Sequence, residues 1–505
     1  MRNKRCKYFC IVLCLLIGGN IYAQDFGFGD EDSSDNTGGA AGNGSLSASI
    51  GGEISASMIG YLDDFHEGAD QTQLGDIFSG KLNFSARTSF AEGNINLKLD
   101  PAISPISIND IIDEAYLRAF FGDFEIAAGL RKLTWGKADS FGPLDIINPL
   151  DYSRVFTEMS DNASLMDIKI ARPLVQASFR FGQFSKIEGV FIPWFRPHYL
   201  PQTGKWAPDQ MKMLTHPPIP EEIPIKLILP ELITATVDYA QAGLRFTTTI
   251  GNADIGAQYY YGRLPQPSAV IGPIPISGSL SDTFSMSINE AEVHANLLYN
   301  SYHQIGLDYA QVLFDFNTRA ELAANITEDL KGDDGAVYNP SIAWSFGFDR
   351  DLVWGINLNL QVNESIRLMH DKLGGDMDSA MGSTRNNITN TIITNIMNGT
   401  LSPGGSFDYG SFPINNFDIE GGSELTATRF IATLSKKFLR DELELRAAVI
   451  WGIEDKDCAI LPALIWTKDD LQMAFSGGFF TGDSEGQLGQ YWKNNFLKIS
   501  LTYTF

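Results

Sequence analysis

The sequence has 505 residues, a formal net charge of −24 and a hydrophobic fraction of 44%. This acidity argues against a nucleic-acid partner, because binding phosphates requires a basic surface. Length alone would allow about three globular domains, so the internal pattern has to decide the fold class. Beyond the amino terminus, no segment of the sequence is long and apolar enough to predict a membrane-spanning helix.

The amino-terminal residues have the pattern of a secretory signal peptide. Four basic residues among the first seven precede an apolar stretch from Tyr8 to Ile17, and Ala23 supplies the small residue that a cleavage site needs. A retained anchor is the alternative, but this stretch is shorter than the roughly 20 residues that a spanning helix needs. We therefore predict a signal peptide over 1–23, a flexible acidic leader over 24–44 and a membrane domain over 45–505.

Apolar and polar side chains alternate with a period of two along most of the remaining chain. The pattern runs from Lys81 to Asp100 around turn residues at 91–94, and it recurs from Leu117 to Arg131 and from Ile342 to Asn363. Each segment therefore predicts a hairpin with one apolar and one polar face. Further short turns are predicted near Gly122-Asp123, Gly182-Gln183, Gly251-Asn252, Asn300-Ser301 and Lys468-Asp469.

Short turns that alternate with long polar connections predict an all-β, transmembrane, antiparallel up-and-down barrel. Strict alternation of direction gives about 18 strands, with 16 as the alternative. The first strand lies between Leu46 and Leu62, and the last runs from about Asn495 to Phe505 with its apolar residues on one parity. In lipid this last strand must pair with the first, because every backbone polar group needs a partner. A soluble β-sandwich also alternates, but it explains the terminal aromatic strand and the export signal less well.

Residues of the opposite parity would line the interior of the barrel. In the first half of the chain many of them are charged, and a row of cations on a pore wall would attract anions. The alternative is that each cation pairs with a neighbouring carboxylate and satisfies an interior network. The predicted pore-lining residues are Arg87, Lys98, Arg118, Glu125, Arg131, Arg180, Lys186 and Arg245.

The third long connection, from Trp135 to about Ser164, carries a distinctive motif. Trp135-Gly136 is followed by Ile146-Ile147-Asn148-Pro149 and Asp151. This stretch resembles the signature of a family of poorly characterised Gram-negative outer-membrane barrels that are described as porin-like. The family's acidic residue directly after Trp-Gly is replaced by Lys137, and Asp139 follows two positions later.

The resemblance implies residence in the outer membrane of a Gram-negative-type (diderm) bacterium and a third loop that folds inward. It also implies that acidic loop residues face lumen cations across a constriction; the alternative is that they only cap loop turns. The candidate constriction residues are Asp139, Asp145, Asn148 and Asp151. A second loop, from Phe195 to about Ile233, contains an apolar segment over 223–232. It is interpreted as a lid, as a plug or as an apolar binding site for a hydrophobic solute; the alternative is that it only packs against the barrel rim.

The function predicted first is a porin or channel for passive uptake of small hydrophilic solutes. A transporter of hydrophobic solutes that resembles fatty-acid transporters, and a surface adhesin displayed on the loops, are the alternatives. No cofactor or metal is expected, and the expected partners are outer-membrane lipid, a small solute and the assembly machinery that reads the strand ending at Phe505. An enzyme is not expected, because the histidines are scattered and no nucleophile or metal motif occurs.

Overall fold

The computed structural model describes residues 46–62, 78–99, 111–161, 165–202, 204–209, 211, 225–228, 234–271, 274–282, 286–288, 291–369, 377–412, 420 and 424–505. The predicted signal peptide, the acidic leader and most of the apolar segment over 223–232 lie outside these residues.

Eighteen strands form one antiparallel sheet that closes on itself, because each strand pairs with its neighbour in the chain and the last returns to the first. The prediction of an all-β barrel with about 18 strands is confirmed, and the alternative of 16 is wrong. The strands are β1 Ser47–Tyr61, β2 Ser79–Arg87, β3 Ala91–Leu99, β4 Ile112–Phe121, β5 Phe124–Arg131, β6 Arg172–Phe181, β7 Ser185–Ile192, β8 Gln241–Ile250, β9 Ala253–Arg263, β10 Ser301–Leu313, β11 Phe316–Thr327, β12 Ser341–Asp351, β13 Ile356–Arg367, β14 Thr426–Phe438, β15 Leu443–Gly452, β16 Asp457–Lys468, β17 Leu471–Gly482 and β18 Phe496–Thr504.

The seam between β1 and β18 closes the barrel. Its register pairs Glu53 with Thr504 at one end and Tyr61 with Phe496 at the other. The Gly52 amide donates to the Phe505 carbonyl and the Phe505 amide donates to the Gly52 carbonyl, both at 2.9 Å. A side chain on Gly52 would overlap the Phe505 ring and the backbone of β2. Closure by the terminal strand, as the sequence predicts, is therefore seen directly.

The wall is apolar outside and polar inside, as the alternation predicts. On β18 the outward Ile499 and Tyr503 are 46% and 47% exposed, whereas the inward Lys498 is 7% exposed because loop residues cover it. The same contrast holds on β13, where outward Leu358 and Leu360 alternate with inward amides. An apolar outer surface of this kind matches lipid, whereas a polar interior matches water or a folded loop.

Two predicted turns are wrong. The first lies at 88–90 rather than 91–94, because the Thr88 hydroxyl accepts from the Ala91 amide at 3.1 Å and closes the turn earlier. Asn300-Ser301 joins β10 to a loop strand, Ala291–Leu298, that lies outside the barrel sheet. The barrel turn that follows β10 is Phe314-Asp315, and both residues have positive φ, 52° and 65°. Asp tolerates that conformation but Phe disfavours it, so the sequence contains only a weak signal for this turn.

The long connections lie at the end of the barrel opposite to these short turns and contain further elements. None of the described helices is long and apolar enough to cross a membrane. The helices are α1 Val155–Met159 and α2 Met377–Met397, with 3-10 turns Leu165–Asp167, Val237–Tyr239, Val353–Gly355 and Gly489–Tyr491. The loop strands Ile225–Ile228, Ser268–Ile271, Ile274–Leu280, Met286–Ile288, Ala291–Leu298 and Ser406–Phe412 form two three-stranded sheets.

Candidate functional site

The connection between β5 and β6, residues 132–171, folds into the barrel, and we call it the inner loop. Its Trp135, Leu144 and Ile147 are 2%, 0% and 0% exposed. Its polar groups bond to side chains on β7, β9, β10, β11, β13, β17, β18 and β2. A loop that contacts strands on opposite sides of a closed sheet must cross its interior. The described part of the inner loop thus forms a partition across the lumen.

The carboxylate of Glu321 on β11 anchors the first half of the inner loop. One oxygen accepts hydrogen bonds from the backbone amides of Lys137 and Ala138, the latter at 2.7 Å, and the other accepts from the Leu144 amide at 3.2 Å. Glu321 is 4% exposed. A buried carboxylate needs several donors to offset the loss of hydration, and here the loop backbone supplies three.

Two glycines make this anchor sterically possible. Gly136 has φ of +101°, a conformation that disfavours any side chain, and a Cβ there would overlap the Glu321 carboxylate. A Cβ at Gly142 would overlap the same group. Beside them, the Trp135 indole donates to Glu188 on β7 at 2.7 Å. The Trp-Gly pair that sequence analysis singled out therefore docks the loop: the indole bonds to one wall and the glycine admits a carboxylate from another.

Inward amide side chains hold the tip of the inner loop against the wall. On β13 Gln361 accepts from the Ser140 amide at 3.0 Å and donates to the Phe141 carbonyl at 3.0 Å, while Asn363 donates to the same carbonyl at 2.7 Å. Gln258 and Gln304, on β9 and β10, donate to loop carbonyls in the same way. Amides suit this position because each offers a donor and an acceptor without a charge to bury.

Three of the four candidate constriction residues bond within the inner loop and its ends. Asn148 is 3% exposed and joins the two ends of the loop: it accepts from the Leu133 amide at 2.7 Å and donates to the carbonyls of Arg131 and Ile170. Asp145 pairs with Lys169 of the same loop at 2.7 Å, and burial raises the pKa of Asp145. Asp151 accepts from the Ser153 amide and hydroxyl. These three residues therefore make contacts within the loop and its ends.

Asp139 is the candidate that pairs with a cation on the opposite wall. It bonds to Arg319 on β11 and accepts from Asn359 on β13 at 3.0 Å. Arg319 also pairs with Asp349 on β12 at 2.8 Å. The three charged side chains are 24%, 27% and 19% exposed, so water reaches them. Burial raises the pKa of Asp139 despite the attraction of Arg319. Asp139 is predicted from the sequence, whereas Arg319 is not, although its inward parity on β11 is an available signal.

The second half of the inner loop crosses to the strands that close the barrel. Asp161 accepts from Lys498 and Ser500 on β18, at 3.0 and 2.8 Å. The Ser160 hydroxyl lies 3.1 Å from that of Ser476 on β17, and Asp167 pairs with Lys81 on β2 at 2.7 Å. This half therefore connects the loop to both sides of the seam.

Around Phe156 of α1, a cluster of aromatic rings fills part of the barrel interior. Trp206, from the connection between β7 and β8, packs on Phe156 of α1 at 5.6 Å and donates to the Tyr61 hydroxyl at 3.1 Å. Asn494 donates to the Lys205 carbonyl at 2.6 Å and Trp206 also packs on Phe496. The described part of this second loop thus reaches into the lumen. The sequence left both packing against the rim and plugging of the lumen as interpretations of this loop. The apolar segment over 223–232 lies mostly outside the described residues.

His198 joins the two inward loops. Its Nδ1 accepts from the Leu150 amide at 2.8 Å, and Tyr199 bonds to the Leu150 carbonyl beside it. Burial, with a smaller effect from Arg172, lowers the pKa of His198 to about 4. The neutral imidazole is therefore the form that the folded junction holds.

We expect the junction between the loops to loosen as pH falls from about 6.5 to about 4. The unfolded histidine takes up a proton at its ordinary pKa of about 6.5, whereas the folded one resists until about 4, so stability is full above this window and is lost through it. The loss should reach about 2 kcal/mol, allowing for partial exposure. Hydrogen exchange of the Leu150 amide measures it. His198→Gln keeps an acceptor but does not titrate, so equal acid sensitivity in that variant would contradict the assignment.

The predicted pore-lining residues are mostly paired. Arg118 lies 2.9 Å from Glu125, Lys186 lies 3.4 Å from Glu188, and buried Arg245 lies 2.9 Å from Asp308 on β10. Arg131 bonds to Gln176 and stacks on Tyr116, and Lys98 lies among the charges of Arg154, Glu158, Asp113 and Lys132. Arg180 is an exposed inward residue. Arg87 stacks on Phe120. Whether these residues line a solute path stays a prediction.

The described residues contain no group of three or more His, Cys, Asp or Glu side chains that could hold a metal ion. His66, His216 and His370 lie outside the described part of the chain. Cys458 is a free thiol on β16. The expectation that the protein is not an enzyme stays a prediction.

The chain resembles solved outer-membrane barrels in fold. OpdO of Pseudomonas aeruginosa is 9% identical, with a TM-score of 0.46 over 91% of this chain and 96% of that one. A BenF-like porin from Pseudomonas fluorescens Pf-5 is 11% identical, with a TM-score of 0.44 over 91% and 98%. Wzi of Escherichia coli, described as a carbohydrate-binding β-barrel involved in capsule assembly, is 8% identical, with a TM-score of 0.42 over 91% and 85%. No family model and no curated protein matches the sequence.

Proposed function

We propose that this protein is an outer-membrane channel through which small hydrophilic solutes diffuse passively. The observation that carries the proposal is a closed wall, apolar outside and polar inside, with a loop held across its interior by side chains of many strands. A loop in this position sets the width and the charge of any passage, while the outer face meets lipid.

In this proposal the short turns face the periplasm and the long connections face the cell exterior, which is the usual orientation of such barrels. The export signal would deliver the chain across the inner membrane, and the strand ending at Phe505 would be read by the assembly machinery of the outer membrane. The outward apolar residues of that strand would then contact lipid, because they share one parity.

Single-channel recording in a planar lipid bilayer tests the proposal. We expect the purified, folded protein to give stable conductance steps in potassium chloride, with a size set by the space that the inner loop leaves. The heat-denatured protein is the control. A folded barrel that inserts into the bilayer but gives no conductance steps at any voltage would overturn the proposed channel function.

The aromatic cluster favours the second candidate, a transporter of hydrophobic solutes. Trp206 and Phe156, which pack on the buried Phe480, place apolar rings inside the lumen, where a purely aqueous channel does not need them. Binding of a fatty acid, followed by quenching of tryptophan fluorescence, tests it. Binding by the wild type but not by Trp206→Ala, without conductance steps, would replace the first proposal with the second.

A further inference from the structure

Near the short-turn end of the lumen, Phe120 contacts two arginine side chains. The guanidinium carbon of Arg87 on β2 is 5.6 Å from the centre of the Phe120 ring, and that of Arg118 is 5.4 Å from it. Phe120 and Arg118 share the inward parity of β4. Stacking on an aromatic ring holds a guanidinium in place through its flat face and leaves its N–H edge available.

The two arginines differ in their acidic partners. Arg118 lies 2.9 Å from Glu125 and 4.0 Å from Glu92, so its charge is matched inside the wall. Within the described part of the chain, the guanidinium of Arg87 has no hydrogen-bond acceptor and no carboxylate at ion-pairing distance, and Arg87 is exposed. Glu92 is its register partner on β3 but does not pair with it. Arg87 therefore presents an oriented, unmatched donor edge to the lumen.

We propose that Arg87, oriented by Phe120, is a binding subsite for the carboxylate group of small organic anions that pass through the barrel. This inference rests on the proposed channel and names its preferred class of solute. A guanidinium fork matches the two oxygens of a carboxylate, and this geometry distinguishes a carboxylate from chloride.

The surrounding charges favour a monoanion and weak binding. The inward charges that contact or adjoin this pair on β2 to β5 are two cations, Arg87 and Arg118, and two carboxylates, Glu92 and Glu125, so they balance. Glu92 lies beside Arg87 and would repel a phosphate dianion more strongly than a monocarboxylate. A solute that is held weakly can also leave, as conduction requires.

Reversal potentials of single channels, measured with potassium acetate replacing potassium chloride, test the subsite. We expect Arg87→Gln to lower the ratio of acetate to chloride permeability about fivefold, as loss of one exposed charge-assisted contact implies. Arg87→Lys should keep the anion to potassium permeability ratio of the wild type but still lower the acetate to chloride ratio, because it keeps the charge and loses the fork. Glu92→Gln should raise acetate permeability.

Arg350→Gln is the matched control. Arg350 also stacks on a phenylalanine, at 4.5 Å from the Phe316 ring centre, but both residues lie on the outward parity. This variant should leave the permeability ratio unchanged. If the wild type conducts and both Arg87 variants keep its acetate to chloride permeability ratio, the proposed subsite is overturned, whereas the proposed channel function is not. If the wild type does not conduct, both proposals are overturned. Each variant is first checked for the compact band that folded barrels show on unheated gels.

Discussion

Glu321→Ala should release the tip of the inner loop from the barrel wall while the barrel stays closed. The change removes the acceptor of three backbone amides at Lys137, Ala138 and Leu144, an anchoring contribution of at least about 3 kcal/mol. No strand-to-strand hydrogen bond is lost, because Glu321 contributes only its side chain to the anchor. In bilayer recordings, conductance should rise and become noisy.

A thiol probe at the loop tip checks this result independently of current. In a Cys458→Ala background, Ser140→Cys should react with a water-soluble maleimide at least about tenfold faster when Glu321 is alanine. With Glu321→Gln, the labelling rate should lie between the rates measured with glutamate and with alanine, since the amide keeps one acceptor oxygen. Glu364→Ala, on the outward parity of β13, is the matched control and should change nothing. Equal labelling rates in all variants would show that the amides of β9, β10 and β13 hold the tip without Glu321.

Arg319→Gln should shift the channel strongly toward cations. The substitution leaves Asp139 and Asp349 without their shared cation, and these side chains are partly exposed to water in the lumen. An uncompensated pair of carboxylates on a pore wall attracts cations and repels anions. We expect the potassium to chloride permeability ratio to rise about threefold or more, as measured from reversal potentials across a salt gradient.

Two companion variants decide whether this site controls selectivity. Asp139→Asn should lower the potassium to chloride permeability ratio. The double variant, Arg319→Gln with Asp139→Asn, should have a ratio near that of the wild type. Arg118→Gln is the comparison from the predicted pore wall, where Glu125 and Glu92 already match the cation. A larger change from Arg118→Gln than from Arg319→Gln would place the selectivity filter on that wall instead. Acidification should weaken the cation preference of Arg319→Gln early, because burial raises the pKa of Asp139.

Much of the wall could be predicted because its pattern is local. Alternation along each strand decides which side chains face outward, and counting hairpins gave the number of strands. The failures were also local: at Phe314-Asp315 the backbone adopts positive φ at a phenylalanine, which rarely does so, and at Thr88 a side-chain hydrogen bond moves the turn. At both turns the residue types do not indicate where the turn forms or which backbone conformation it adopts.

The inner loop was predicted only in outline. A resemblance around Trp135-Gly136 suggested an inward fold and named Asp139, but Asn148, Asp145 and Asp151 form contacts within the loop and its ends. Glu321 and Arg319 were missed, although their inward parity was available, because nothing in a strand pattern says which inward residue a loop will reach. Glu321 lies 184 residues from Lys137.

The sequence alone was enough to predict the two faces of the barrel wall, the strand that ends it and the strand number to within two, because a period of two and the need to pair every backbone group in lipid leave few alternatives. Only the tertiary structure decided what fills the lumen. Closure of the sheet brings β7, β11, β13 and β18 around one loop, and the contacts that result, from Glu188 to Trp135, from Glu321 to the loop backbone and from Arg319 to Asp139, depend on distances across the barrel that no local pattern encodes.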